Sequence, residues 1–211
     1  MGGICLSRTA PPEQKAQVIK QITLNDVLLS LVHGNIIYED VEAASLSLDA
    51  NLHPLGPVSS SMFKAAGSKL DEALRQKWAE SSPPKPGDVL VTSAGSLHAF
   101  FTLNVICPDP AGPEEVYAAI QKLLEIVGKE GYESVALSLL EVPESQISKE
   151  KQAEVYFQVL ADFLRNQRLP KLQRLRLIHS DLLVVQAFES EFARHFPKWI
   201  QSRHVVLRPQ A

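Results

Sequence analysis

The sequence predicts an α/β domain of three layers, a mixed, mostly parallel sheet between helices, and three observations carry that expectation. Apolar β-rich runs alternate with amphipathic helical segments along most of the chain, the pattern of strand–helix–strand units with right-handed crossovers and helices on both faces of a sheet. Runs such as Val89-Leu90-Val91-Thr92 and the almost wholly apolar stretch 99–107 have the composition of buried strands. A chain of 211 residues with 45% hydrophobic content is long enough to bury one sizeable core.

Residues 1–20 carry Pro11, Pro12 and a polar run without periodicity, so a flexible leader is expected there, a domain over 21–197 and a tail over 198–211. Runs 22–24 and 27–32 are β-rich and stop at His33-Gly34-Asn35, and run 41–48 stops at the turn signal Asp49-Ala50-Asn51. From 59 to 77, Met62, Phe63, Ala66, Leu70 and Leu74 fall three and four apart, with Lys64, Lys69, Asp71 and Arg75 off that stripe, which predicts one amphipathic helix. After a proline-rich loop at 81–87 come strands at 89–92 and 99–107, the latter ended by Pro108-Asp109-Pro110. Pro113-Glu114-Glu115 opens a helix with proline in its first turn and acids at the positive end of its dipole. A strand at 133–140, a helix at 149–166 with Ala153, Tyr156, Phe157, Leu160, Phe163 and Leu164 inward, a strand at 172–179 and a helix at 182–196 complete the domain. Ligands of such sheets bind beyond the carboxyl ends of the strands, a rim expected here from the loops around Gly34, Asp49, Gly56, Gly95 and Glu141.

Composition argues against several functions. A net charge of −3 and a pI near 6.1 give no basic excess for nucleic acid or anionic membrane, and the short basic run 165–176 alternates with leucine, as a solvated helix end leading into a strand. Cys5 and Cys107 have neither disulfide-framework nor zinc spacing, which fits an intracellular setting, cytoplasmic or nuclear. No apolar run approaches the roughly 20 residues of a membrane span. In Met1-Gly2-Gly3-Ile4-Cys5-Leu6-Ser7, Leu6 fills the Ser/Thr position of a myristoylation signal. The six histidines show no metal-ligand spacing, and no nucleophile elbow or phosphate loop is present, so neither metal nor cofactor is expected. Ser59-Ser60-Ser61 reads as a helix cap, one ring of Phe100-Phe101 as able to reach the cleft, and Trp78 and Trp199 as packing or partner contacts.

From about residue 22 to about 196 the order of elements resembles a macrodomain, most closely the divergent macro modules of the poly-ADP-ribose polymerase family. Gly34-Asn35-Ile36 is similar to the family's Gly-Asp-Ile, whose Asp accepts a hydrogen bond from adenine; Asn35 keeps the shape and loses the charge. Val41-Glu42-Ala43 and the strand after it look like Val-Asp-Ala-Ile-Val, which in active members ends in Asn-Ala-Ala-Asn; the Asn that orients the distal ribose falls on Asp49, with Asn51 nearby. Where the family has a glycine loop whose backbone N–H groups cradle a diphosphate, this chain has Pro54-Leu55-Gly56-Pro57-Val58, and the prolines remove donors. Where it has a second small-residue loop, this chain has Glu141-Val142-Pro143-Glu144, and a carboxylate there repels a diphosphate. The stretches 87–107 and 175–192 are similar to later strands and to the closing helix, without the family's His-x-Val-Gly-Pro ending.

The resemblance implies ADP-ribosylation signalling and three roles within it. One is a non-catalytic, degenerate module acting through protein contacts. Another is a reader of ADP-ribose or mono-ADP-ribosylated protein with weakened diphosphate contacts, using Asn35, Ile36, Asp49, Asn51, Gly56, Pro57, Val58 and Glu141. The third is an ADP-ribosyl hydrolase relying on Asp49 and Asn51. The partners it implies are ADP-ribose, an ADP-ribosylated protein, or another protein.

Overall fold

The computed structural model describes residues 16–80, 83–143, 146–166 and 169–197. Seven strands form one sheet, and five α-helices and a 3₁₀ turn (Ile36–Tyr38) cover it among the described residues. In chain order these are β1 (Gln17–Leu24), β2 (Val27–His33), β3 (Ala43–Leu48), α1 (Gly56–Ala66), α2 (Ser68–Glu80), β4 (Val89–Ser93), β5 (Phe101–Ile106), α3 (Pro113–Glu130), β6 (Ser134–Leu137), α4 (Lys149–Asn166), β7 (Arg174–His179) and α5 (Leu182–His195). The sheet order is β1-β2-β7-β6-β3-β5-β4, with the five inner strands parallel and both edge strands antiparallel to their neighbours.

Alternation along the strands builds two cores. Ala44, Leu46 and Leu48 of β3, Ile106 of β5, Ala136 of β6 and Ile178 of β7 face Met62, Ala66, Leu70 and Leu74 of α1 and α2. Ala43, Leu103, Val105, Val135, Leu137, Leu175 and Leu177 face α3, α4 and α5. Phe157, Phe188, Phe192 and Phe196 seal α4 against α5 through edge-on ring contacts. Trp78 packs on the α1–α2 side, as sequence suggested for it; Trp199 lies outside the described residues.

Several expectations change. The leader expected over 1–20 overlaps the sheet: β1 begins at Gln17 and forms a hairpin with β2 through Asn25 and Asp26, both at positive φ as a two-residue primed turn requires. Asn25 Nδ2 ties that turn to the Leu164 carbonyl of α4 at 2.6 Å. The single helix expected over 59–77 is two helices. Gly67, at φ +75°, closes α1 with its N–H on the Phe63 carbonyl, and α2 restarts at Ser68, so the apolar stripe runs across a break. The basic run divides into separate tasks: Arg165 donates to the His195 carbonyl and lies over the Phe196 ring, while Arg176 pairs with the buried Glu39 carboxylate.

Candidate functional site: the rim at the start of helix α1

The carboxyl ends of β2, β3, β5, β6 and β7 lie at one end of the sheet, and the loops there form the rim. Its centre is built by β3, in a way the residue types dictate. Ser45 and Ser47 take the positions that face the α3–α5 side, where an apolar residue would give the loop after β6 nothing to bond. β6 pairs with β3 only at Ala43 and Ala44 and then leaves it. The two hydroxyls span the gap: Ser45 Oγ accepts from the Ser138 N–H at 2.9 Å and Ser47 Oγ from the Glu141 N–H at 3.1 Å. The Tyr156 hydroxyl, fully buried, donates to the Ser138 carbonyl at 2.8 Å. Ser47 also holds α1, for its N–H donates to Ser59 Oγ at 3.0 Å and its carbonyl accepts from the Leu55 N–H at 2.9 Å.

This scaffold aims Glu141 at the first turn of α1. Glu141 Oε1 accepts from the Val58 N–H at 2.8 Å and Oε2 from the Ser59 N–H at 2.6 Å. Helix α1 has no side-chain cap of its own. Its N-cap is Leu55, Pro57 contributes no N–H, and Ser59 sits inside the helix with its hydroxyl turned to β3, so the serine cap expected from sequence is replaced by a carboxylate from another loop. Positive dipole and free N–H groups make such a terminus an anion site, and Glu141 fills it with an internal anion. Gly56 permits the approach. It lies at φ +64°, and a Cβ there would stand 2.6 Å from Glu141 Cδ and 2.9 Å from Glu141 Cβ and collide with Oε1.

The other sequence-derived rim residues are engaged in their own turns. Asn35 Oδ1 accepts from the Ile37 N–H and caps the 3₁₀ turn, while Ile36 is buried in the α1–α2 core. Asp49 Oδ1 accepts from the Asn51 and His53 N–H groups, both at 2.8 Å, and Oδ2 lies 3.2 Å from His53 Nδ1. Partial burial opposes the Asp49 charge, but these donors outweigh it and hold the carboxyl below its usual range. The structure thus brings together Gly56, Pro57, Val58 and Glu141, whereas Asn35, Asp49 and Asn51 serve backbone turns. Glu144 lies outside the described residues.

Gly95 and Phe100-Phe101 do not belong to the rim. Strand β4 is antiparallel to β5, so its carboxyl end and the loop to Phe101 sit at the amino end of the parallel strands. Neither phenylalanine therefore reaches the cleft. Sequence reasoning missed Ser45, Ser47 and Tyr156; the available signal was a pair of serines alternating within an otherwise apolar strand. Among the described residues no group of three or more His, Cys, Asp or Glu side chains is placed to hold a metal ion, and no helix is long and apolar enough to cross a membrane. Cys107, at the end of β5, is buried, and burial pushes its thiol up to about 12.

A three-layer α/β/α sheet with an anion-binding helix start at its carboxyl rim defines the class, and comparison with known proteins gives the family. The model of the Macro domain matches residues 43–156, and the chain belongs to that family. Its fold is similar to the Oceanobacillus iheyensis macrodomain with MES bound, at TM-score 0.76 and 18% identity, covering 88% of this chain and 99% of that one. An O-acetyl-ADP-ribose deacetylase of Cronobacter sakazakii is 27% identical over 148 residues, 68% of this chain and 82% of the relative. The human protein mono-ADP-ribosyltransferase PARP14 is 27% identical over 172 residues, 75% of this chain and 10% of that protein. The chain likewise spans 31% of an uncharacterized Thermotoga maritima protein that it matches at 23% identity.

Proposed function

We propose that this macrodomain is a non-catalytic interaction module of ADP-ribosylation signalling, in the cytoplasm or nucleus, whose diphosphate cradle is occupied by its own Glu141. The observation that carries this reading is the pair of bonds from the Val58 and Ser59 N–H groups to one carboxylate. A diphosphate needs those donors, and to take them it must expel a charged group tethered through Ser47 and leave like charges close together in a partly desolvated site. Asp49, the carboxylate a hydrolase would use to place water, already receives two backbone N–H groups, which supports the absence of catalysis. A second reading, a reader of ADP-ribose or mono-ADP-ribosylated protein with weakened diphosphate contacts, draws on the relatives named for O-acetyl-ADP-ribose and mono-ADP-ribosyl chemistry.

Calorimetric titration of the whole chain with ADP-ribose separates the two. No heat up to millimolar ligand is expected. A 1:1 isotherm at micromolar concentration, tighter by roughly 4 kcal/mol, favours the reader and overturns the first reading.

A further inference from the structure

The end of the sheet opposite the rim displays two neighbouring aromatic rings. Phe100 is 67% exposed and Phe101 41%, whereas the other six phenylalanines are buried or packed against the core. Their backbone is fixed, since both N–H groups donate to the Glu42 carbonyl, at 3.1 and 2.9 Å, and Phe101 is in register with Ala43. Phe101 leans one side on the buried Tyr132, and the apolar surface that the two rings leave exposed side by side on a fixed backbone is the mark of a contact surface.

Beside Phe100 opens a cleft of about 230 Å³ lined by Asp40, Glu42, Glu133, Ser134 and Arg174. Three carboxylates there face one guanidinium. The Glu42 carboxylate accepts the Glu133 N–H and so is fixed in the wall; Asp40 and Glu133 are exposed. The same negative field reaches Tyr132, whose ring lies 5.5 Å from that of Phe101: burial, then the charges of Glu130 and Glu42, push its phenol up to about 12. The volume is below the roughly 300–1,000 Å³ of small-molecule sites and suits a single long side chain.

We infer that this end of the sheet docks a protein segment presenting a lysine or arginine beside an apolar side chain. The cation enters the acidic cleft against the Phe100 face, and the apolar neighbour covers Phe101. The charge excess disfavours phosphate-bearing partners, and the docking does not depend on what fills the start of α1.

The test is an amide-shift titration of the whole ¹⁵N-labelled protein with a short peptide of alternating lysine and leucine and with its glutamate–leucine counterpart. The lysine peptide is expected to move the amides of residues 40–42, 100–101, 133–134 and 173–174, more weakly at high salt, and the glutamate peptide to leave them in place. Phe100→Ser and Glu133→Lys, both at exposed positions, should each weaken binding about tenfold or more with an unchanged melting temperature. Equal response to both peptides, shifts elsewhere, no shifts, or a self-associated protein that Phe100→Ser makes monomeric would each overturn the inference.

Discussion

Replacing Gly56 by alanine tests the contact between the two loops through its sterics. The residue sits at φ +64°, so any Cβ costs about 1–2 kcal/mol of left-handed strain. That Cβ also collides with the Glu141 carboxylate and forces it off the Val58 and Ser59 N–H groups. Hydrogen bonds to a charged group are worth about 1.5–3 kcal/mol each when buried; Glu141 is half-buried and water replaces part of the loss, so about 1–2 kcal/mol is expected for the pair. The sum, about 3 kcal/mol, lowers the melting temperature by about 6–12 °C for a domain of this size. Gly87→Ala is the internal control: it sits in a turn closed by the Asp88 N–H on the Lys85 carbonyl, φ is +84° and nothing lies within 4 Å of its Cβ, so only the strain is incurred. In a Glu141→Ala background, Gly56→Ala should likewise cost only the strain, giving a coupling of about 1–2 kcal/mol by thermal or urea melts. Additive costs within about 0.5 kcal/mol, or a Gly56→Ala no worse than Gly87→Ala, would refute the contact.

Two further outcomes follow from titratable groups. Burial holds the His179 imidazole below its usual range although the Asp181 carboxylate pulls the other way, and His179 Nδ1 accepts the Asp181 N–H at 3.0 Å. The unfolded chain therefore takes up this proton more readily, so stability is full above about pH 6.5 and falls as the pH drops below it. Urea midpoints between pH 7.5 and 5.5 should decline less in His179→Gln, whereas the lowered carboxyls of Asp49, Asp88 and Asp181 act only near pH 4 and below. Cys107, buried with its thiol raised to about 12, should resist iodoacetamide at pH 8 in the native protein and react once unfolded, as read by mass spectrometry of its peptide.

The α/β alternation is legible because each strand and helix is long and periodic, and most spans agree with the structure to within a few residues. Strand direction was misjudged at one edge. Only residues 94–100 join β4 to β5, too few for a parallel crossover, so the antiparallel pairing that moves Gly95 and Phe100 to the far end was readable from loop length. The helix break at Gly67 was hidden because the apolar stripe continues through it. At the rim, Gly56 and Glu141 were both singled out from sequence, the acid as a group that repels a diphosphate. Its service as the helix cap is a contact across 82 and 83 residues of chain, set by hydroxyls of Ser45 and Ser47 that no local pattern connects to it. Asn35 and Asp49 were ambiguous because the side chain that can face a ligand can equally close its own turn.

The occupancy of the α1 start by Glu141 is tested most directly by following the Val58 and Ser59 amide resonances during titration with pyrophosphate, in the native chain and in Glu141→Ala. In the native chain the two amides should stay in place up to millimolar pyrophosphate, and in the variant they should shift in a saturable way as the freed N–H groups take the anion. Saturable shifts of these amides in the native chain at micromolar pyrophosphate would contradict it.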